Sequence, residues 1–223
     1  MENRGQPPRW VETLARLLER ATMWGIRHWL LFANLAFFLY VLWAVLAPVF
    51  MHVGWLRVGK AIYWIYGPLC HQLPERSFFL FGPRWTYSLH VLQEHGVALG
   101  SLWQRKAFIG SPELGYKMAF CERDFALYGG FFLVGVIYGL TRRRWRPLPW
   151  KWYALSLVPL ALDGMTQLVG LRESTWWLRV STGFLFALTT IWALYPRLDQ
   201  ALQTSLEVDS HLSRGEIWQI EGE

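Results

Sequence analysis

From His28 to Leu56 the chain carries no Lys, Arg, Asp or Glu, and the run HWLLFANLAFFLYVLWAVLAPVF is apolar nearly throughout. About 20 such residues cross a bilayer core, so this run predicts a transmembrane helix over about 29–51. It is too long for a secretory signal and sits behind a lengthy preamble. A second apolar stretch, Phe125 to Leu140, stops at Thr141-Arg142-Arg143-Arg144 and predicts a span over about 122–140. A third is expected over about 151–169, containing Asp163, and a fourth over about 176–195, containing Arg179. The fold class expected is all-α, a bundle of four transmembrane helices.

Two further segments are amphipathic. In Trp10–Ile26, residues Trp10, Leu14, Leu17 and Leu18 share one helical face while Arg9, Arg16 and Arg20 take another. That pattern predicts an N-terminal helix within 1–27 that lies on the membrane surface. The connection 52–117 contains the aromatic-rich Gly54–Leu69 and a helical pattern over Ser88–Phe108. Its many aromatics suit packing on the membrane face, or re-entry into it, better than a free linker. The tail, 196–223, is acidic through Glu207, Asp209, Glu216, Glu221 and Glu223.

Composition agrees with the pattern. Hydrophobic residues make up 53% and charged residues 17%, with 15 Trp. Soluble domains carry about 25% charge, so a soluble or disordered chain is excluded. A net charge of +6 would suit nucleic acid, but the placement of the basic residues argues otherwise. Arg4, Arg9, Arg16, Arg20 and Arg27 precede the first span, and Arg142, Arg143, Arg144, Arg146 and Lys151 separate the second from the third. Under the positive-inside rule both flanks face the cytoplasm, which puts both termini inside and makes 52–117 an outer loop of a cell-membrane protein. The RRRWR run is then a topology determinant against anionic lipid. Membrane lipids are the expected partners, with other membrane subunits or a homo-oligomer open and no nucleic acid.

Two groups of chemistry-bearing residues fall on the same predicted side. One is Cys70-His71-Gln72-Leu73-Pro74-Glu75-Arg76-Ser77 with Cys121-Glu122-Arg123-Asp124. The other is Asp163-Gly164-Met165-Thr166-Gln167 with Arg172-Glu173-Ser174-Thr175, Arg179 and Thr182-Gly183. On a helix Asp163 and Gln167 share a face at i and i+4. Asp163 lies roughly 9 Å inside its span at about 1.5 Å rise per residue, and Arg179 lies similarly shallow in the next. A short turn joins the two helices, so these charges are expected to reach one another. Charges inside spans are costly and mark functional sites by default. Gly135 and Gly139 form a small-xxx-small pair expected to serve as a helix-packing notch.

These residues also carry a resemblance. CHQLPERSF, then CERD, then DGMTQ-x-x-G-x-REST-x-x-x-R-x-x-TG resemble a family of predicted bacterial and archaeal integral membrane proteins, a domain of unknown function. The likeness covers roughly residues 60–190. Many members have a second Cys where Asp124 stands here, and the stretch between the two Cys motifs, about Trp85 to Ser111, is longer in this chain. The resemblance implies a shared site without supplying an activity.

Cys70 and Cys121 admit two readings, a structural disulfide across an oxidising compartment or ligation of a metal. In the second, Cys70, His71, Cys121 and Asp124 offer sulfur, nitrogen and oxygen donors of the kind Zn²⁺ accepts. Arg76, Arg123, Arg172 and Arg179 are candidates to hold a phosphate, because guanidinium forks match its oxygens. Asp163, Gln167 and Glu173 are the candidate acid–base or catalytic groups, although Asp163 with Arg179 also reads as a structural ion pair. Phosphate-cradling glycine loops, H-E-x-x-H and G-x-S-x-G are absent. Three functions follow. The first is a membrane protein with an outer-leaflet site for a lipid head group or isoprenoid phosphate. The second is a non-enzymatic subunit scaffolding a larger complex, and the third an oligomeric transporter or ion pathway using Asp163.

Overall fold

The computed structural model describes residues 8–98 and 100–214. Arg4 and the tail acids Glu216, Glu221 and Glu223 lie outside the described residues. Helix α1 (Arg9–Arg27) has no buried residue, and Trp10, Leu14, Leu17 and Leu18 are exposed along it. After His28 the chain enters α2 (Trp29–His52), then reverses into α3 (Leu56–Tyr66). Trp55 stacks on Phe50, and the Tyr66 hydroxyl donates to the Tyr40 carbonyl at 2.5 Å. These two contacts set α3 antiparallel along the second half of α2.

The long connection then folds into a cap. It holds β1 (Phe79–Leu80), α4 (Leu89–Glu94), α5 (Leu102–Ala107), β2 (Gly110–Ser111) and β3 (Gly115–Lys117). The strands form an antiparallel sheet in the order β1-β3-β2, with Phe79 opposite Lys117 and Gly110 opposite Tyr116. Neither this sheet nor the break within 88–108 follows from the apolar pattern. The strands are only two or three residues long, and Gly96, at φ 74°, ends α4 in a conformation glycine adopts freely.

The remaining helices are α6 (Glu122–Thr141), α7 (Trp150–Leu168) and α8 (Trp176–Arg214). Helix α6 packs between α2 and α8, and α7 lies antiparallel against α8 through Tyr153–Thr190 and Ser156–Thr189 hydrogen bonds. Close approach is set by glycine. A Cβ on Gly183 of α8 would stand 2.8 Å from the Arg123 carbonyl, and Gly135 and Gly139 of α6 receive Asn34 and Leu30 of α2. Their role as a packing notch is as the spacing predicts.

Two helix-interior prolines are accommodated by the same device. Pro48 has no N–H for the Ala44 carbonyl, and the Ala119 N–H donates to it at 3.2 Å. Pro196 likewise frees the Trp192 carbonyl, which takes the Leu148 N–H at 3.2 Å. Helix α8 therefore runs past Pro196, where the sequence suggests a boundary near Tyr195. At this basic end of the bundle, buried Asp199 accepts from Trp29, from Tyr138 and twice from Arg142, tying α2, α6 and α8 together.

Three helices are long and apolar enough to cross a membrane: Trp29–His52, Glu122–Thr141 and Trp176–Val208. At about 1.5 Å per residue α6 matches a hydrocarbon layer about 30 Å thick. Helix α7 has 19 residues, a spanning length, but Lys151, Asp163 and Gln167 make it less apolar than those three.

Candidate functional site

The site is built where the cap meets the first turns of α6 and α8 and the last turns of α7. Gln72, at φ 51° and buried, staples the loop after α3. Its amide nitrogen donates to the carbonyls of Tyr63 (2.9 Å) and Ala119 (2.8 Å), and its own carbonyl accepts from the Lys117 amine (2.5 Å). That staple brings Cys70 beside the start of α6, where the Cys121 N–H donates to the Cys70 sulfur at 3.3 Å. Cys121 is the N-cap of α6, its sulfur accepting the Asp124 N–H at 3.5 Å. Both thiols are free, and the donor atoms of Cys70, Cys121 and Asp124 lie within 4.8 Å of one another. Contact with Cys70, reinforced by burial, holds the Cys121 thiol well above its usual pKa.

The charges around this cluster are distributed by α6. Glu122, 1% exposed, turns toward α8 and pairs with buried Arg179 at 2.8 Å. Arg123 turns toward α7 and pairs with buried Asp163, which also accepts from Arg172 at 2.8 Å. The direct Asp163–Arg179 pair expected from the sequence is therefore not formed. The first turn of α6 supplies each of them with a nearer partner of opposite sign. In the cap, Glu75 pairs with Arg105 at 2.9 Å, and its carbonyl accepts from Arg179 at 3.4 Å. The Arg76 guanidinium makes no hydrogen bond or ion pair among the described residues. Burial, and then the neighbouring Arg179, pull its guanidinium below the ordinary arginine pKa.

One cleft of about 370 Å³ gathers these groups. It is lined by Cys70, His71, Arg76, Cys121, Arg123, Asp124, Gln167 and Arg179, with Leu69, Leu168 and Gly164. Eight of the eleven candidate residues thus share one wall. Three stand apart: Asp163 lies behind Arg123, Arg172 reaches the site only through Asp163, and Glu173 is exposed on the α7–α8 connection. His71 is exposed on the cleft's wall and outside the cluster formed by the donor atoms of Cys70, Cys121 and Asp124. Glu122, Glu75, Gln72 and Lys117 are central to the site and lie outside the set that the sequence suggests. Glu122, Glu75 and Gln72 stand inside the CERD and CHQLPERS strings, which was the available signal. Lys117 had none.

Apolar spanning helices packed around α6, with a small cap at one end, define an all-α polytopic membrane protein. Residues 111–193 match the family described as "Predicted membrane protein (DUF2085)". The chain is 31% identical over 178 residues to an uncharacterized protein of Methanocaldococcus jannaschii, covering 77% of this chain and 93% of that relative. It belongs to this family of predicted membrane proteins, as its motifs suggested. No solved structure matches the chain.

Proposed function

We propose that the cleft binds the phosphate of a lipid head group at the outer face of the membrane. The observation that carries this reading is a convergence of unmet donors. Arg123 Nε, Arg179 Nε and Gln167 Nε2 are buried without a hydrogen-bond partner, all three on residues that line the cleft, and Arg76 beside them has no partner either. Each buried donor left unpaired costs about 1–3 kcal/mol, and a phosphate offers several strong acceptors at once. An anion would also relieve the mutual repulsion of Arg76 and Arg179. The rim argues for a lipid over a free anion, because Leu69 and Leu168 line the cleft while 64% and 85% exposed.

In this reading Asp163 positions Arg123 and Arg172 and does not meet the ligand. Gln167 is a binding donor and not a catalytic group. The arrangement with the basic end in the cytoplasm is supported by Arg142, Arg144 and Arg146 clustering opposite the cap. Exposure of Leu155, Leu162 and Met165 along α7 supports a fourth crossing, which returns both termini to one side. The test is native mass spectrometry of the purified chain with an anionic phospholipid and with its uncharged diacylglycerol counterpart. Selective retention of the phospholipid, lost in Arg76→Ala and in Gln167→Ala, supports the site. Equal retention in these folded variants refutes it.

A further inference from the structure

The two cysteines and Asp124 have no task in head-group binding, yet the fold takes trouble to assemble them. Cys70 and Cys121 come from segments on either side of the cap, and Asp124 follows Cys121 by one helical turn on the same face of α6. The carboxylate of Asp124 accepts no hydrogen bond and joins no ion pair among the described residues, although Arg76, Arg123 and Arg179 line the same cleft. Arg123 is committed to Asp163 and Arg179 to Glu122. A carboxylate thus faces two thiols without an ion pair of its own, and the uncommitted Arg76 shares the cleft with it.

We infer that Cys70, Cys121 and Asp124 form a site for a soft divalent cation of the zinc type, with a fourth position open to the cleft. The donor set suits it, since Zn²⁺ takes thiolate sulfur and carboxylate oxygen in a tetrahedron. With bonds of about 2.3 Å such a tetrahedron has edges of about 3.8 Å, so donors now within 4.8 Å need close by only about an ångström. Side-chain rotation supplies that, because the backbone is already fixed. Cys121 is pinned as the N-cap of α6, and Cys70 is held by the Gln72 staple. Binding displaces one proton from each thiol, so affinity rises with pH. Two thiolates and a carboxylate leave the loaded centre with one net negative charge, which the cleft arginines face. Three protein ligands plus one open position is the arrangement of zinc sites that bind an exchangeable oxygen, either water or an oxygen of a bound phosphate. The metal site rests on the cysteine–aspartate geometry and stands without the head-group reading.

Cobalt(II) titration of the detergent-purified full chain, reduced and then freed of reductant and chelator, tests the inference. One equivalent should bind with a near-ultraviolet thiolate-to-cobalt charge-transfer band that Zn²⁺ displaces. Cys121→Ser should abolish that band, and Asp124→Asn should weaken binding by about tenfold or more through loss of one of three ligands. His71→Ala should leave both band and affinity unchanged. A protein whose two thiols titrate as free but which gives no such band overturns the site. So does protein isolated without reductant that has no free thiol and no metal, because the pair would then rest as a disulfide. The Arg76-dependent lipid measurement, repeated on Cys121→Ser, keeps the two readings separable: retained lipid with no cobalt band in the parent protein removes the metal and spares the head group.

Discussion

The amine of Lys117 is 0% exposed and donates to the carbonyls of Gln72 (2.5 Å) and Lys106 (2.9 Å). Two donated bonds are within the capacity of a neutral amine. Burial, the largest influence, brings its pKa from 10.5 down to about 7, against the opposing pull of Glu75. Between those values the unfolded chain holds a proton that the folded chain lacks, so stability rises with pH from about 7 to about 10.5. The slope contributed is up to about 1.4 kcal/mol per pH unit, and below the folded pKa the cost of burying the charge is fully present. Denaturant unfolding at pH 7.5 and pH 9 should show this gain in the parent and a flatter response in Lys117→Met; equal slopes would remove Lys117 as its source. Asp163 gives a second contrast. Asp163→Asn leaves Arg123 and Arg172 facing a neutral amide and should destabilise by about 3–5 kcal/mol, as for a broken buried pair. Arg172→Ala removes a 44% exposed partner and should cost about 1 kcal/mol or less. Thermal unfolding of the two variants in one detergent would order them, and the reverse order would contradict the clamp described here.

Among the elements, α6 is the hub, and its packing depends on small residues. Gly183→Ala sets a methyl against the backbone carbonyl of Arg123, which cannot rotate away, so α8 must shift. The expected cost is about 1–3 kcal/mol, as for overpacking, together with loss of the Arg179–Glu122 register and hence of lipid retention. Wild-type stability and retention in that variant would mean the helices are less closely held than the contact implies. The spanning helices were legible because each is written as one apolar run bounded by charge. The same holds for α1, whose leucines and arginines repeat at helical spacing. The cap sheet was not legible, since strands of two or three residues carry no periodicity. The site was half legible. Charged residues near span ends could be named as members, but partners depend on which way α6 turns successive side chains. Glu122 and Arg123 are neighbours in sequence and serve opposite helices, and spacing between α7 and α8 alone led to the Asp163–Arg179 pairing.

For the whole molecule, an arginine cluster and an aromatic cap mark opposite ends. Arg142, Arg144 and Arg146 gather at one, and the cap with its exposed Trp85 and Trp103 at the other. A cysteine introduced at Arg144 should resist a membrane-impermeant maleimide in intact cells, and one at Trp103 should react. The opposite pattern would invert the molecule and put the cleft on the cytoplasmic side.

The captured proline carbonyls carry a consequence for how the chain is made. The first span emerges with the Ala44 oxygen bare, and its partner N–H at Ala119 does not yet exist. At about 5–20 residues per second the ribosome takes several seconds to deliver it. Through that interval α2 resides in the bilayer with an open acceptor, a provisional tenant that only the later arrival of the segment between β3 and α6 makes permanent. Pro196 imposes no such wait, because Leu148 is already threaded when Trp192 appears. Biosynthesis of this protein is therefore vulnerable early and secure late, and a nascent chain cut short before residue 119 would hand the cell's proteases an unfinished first helix.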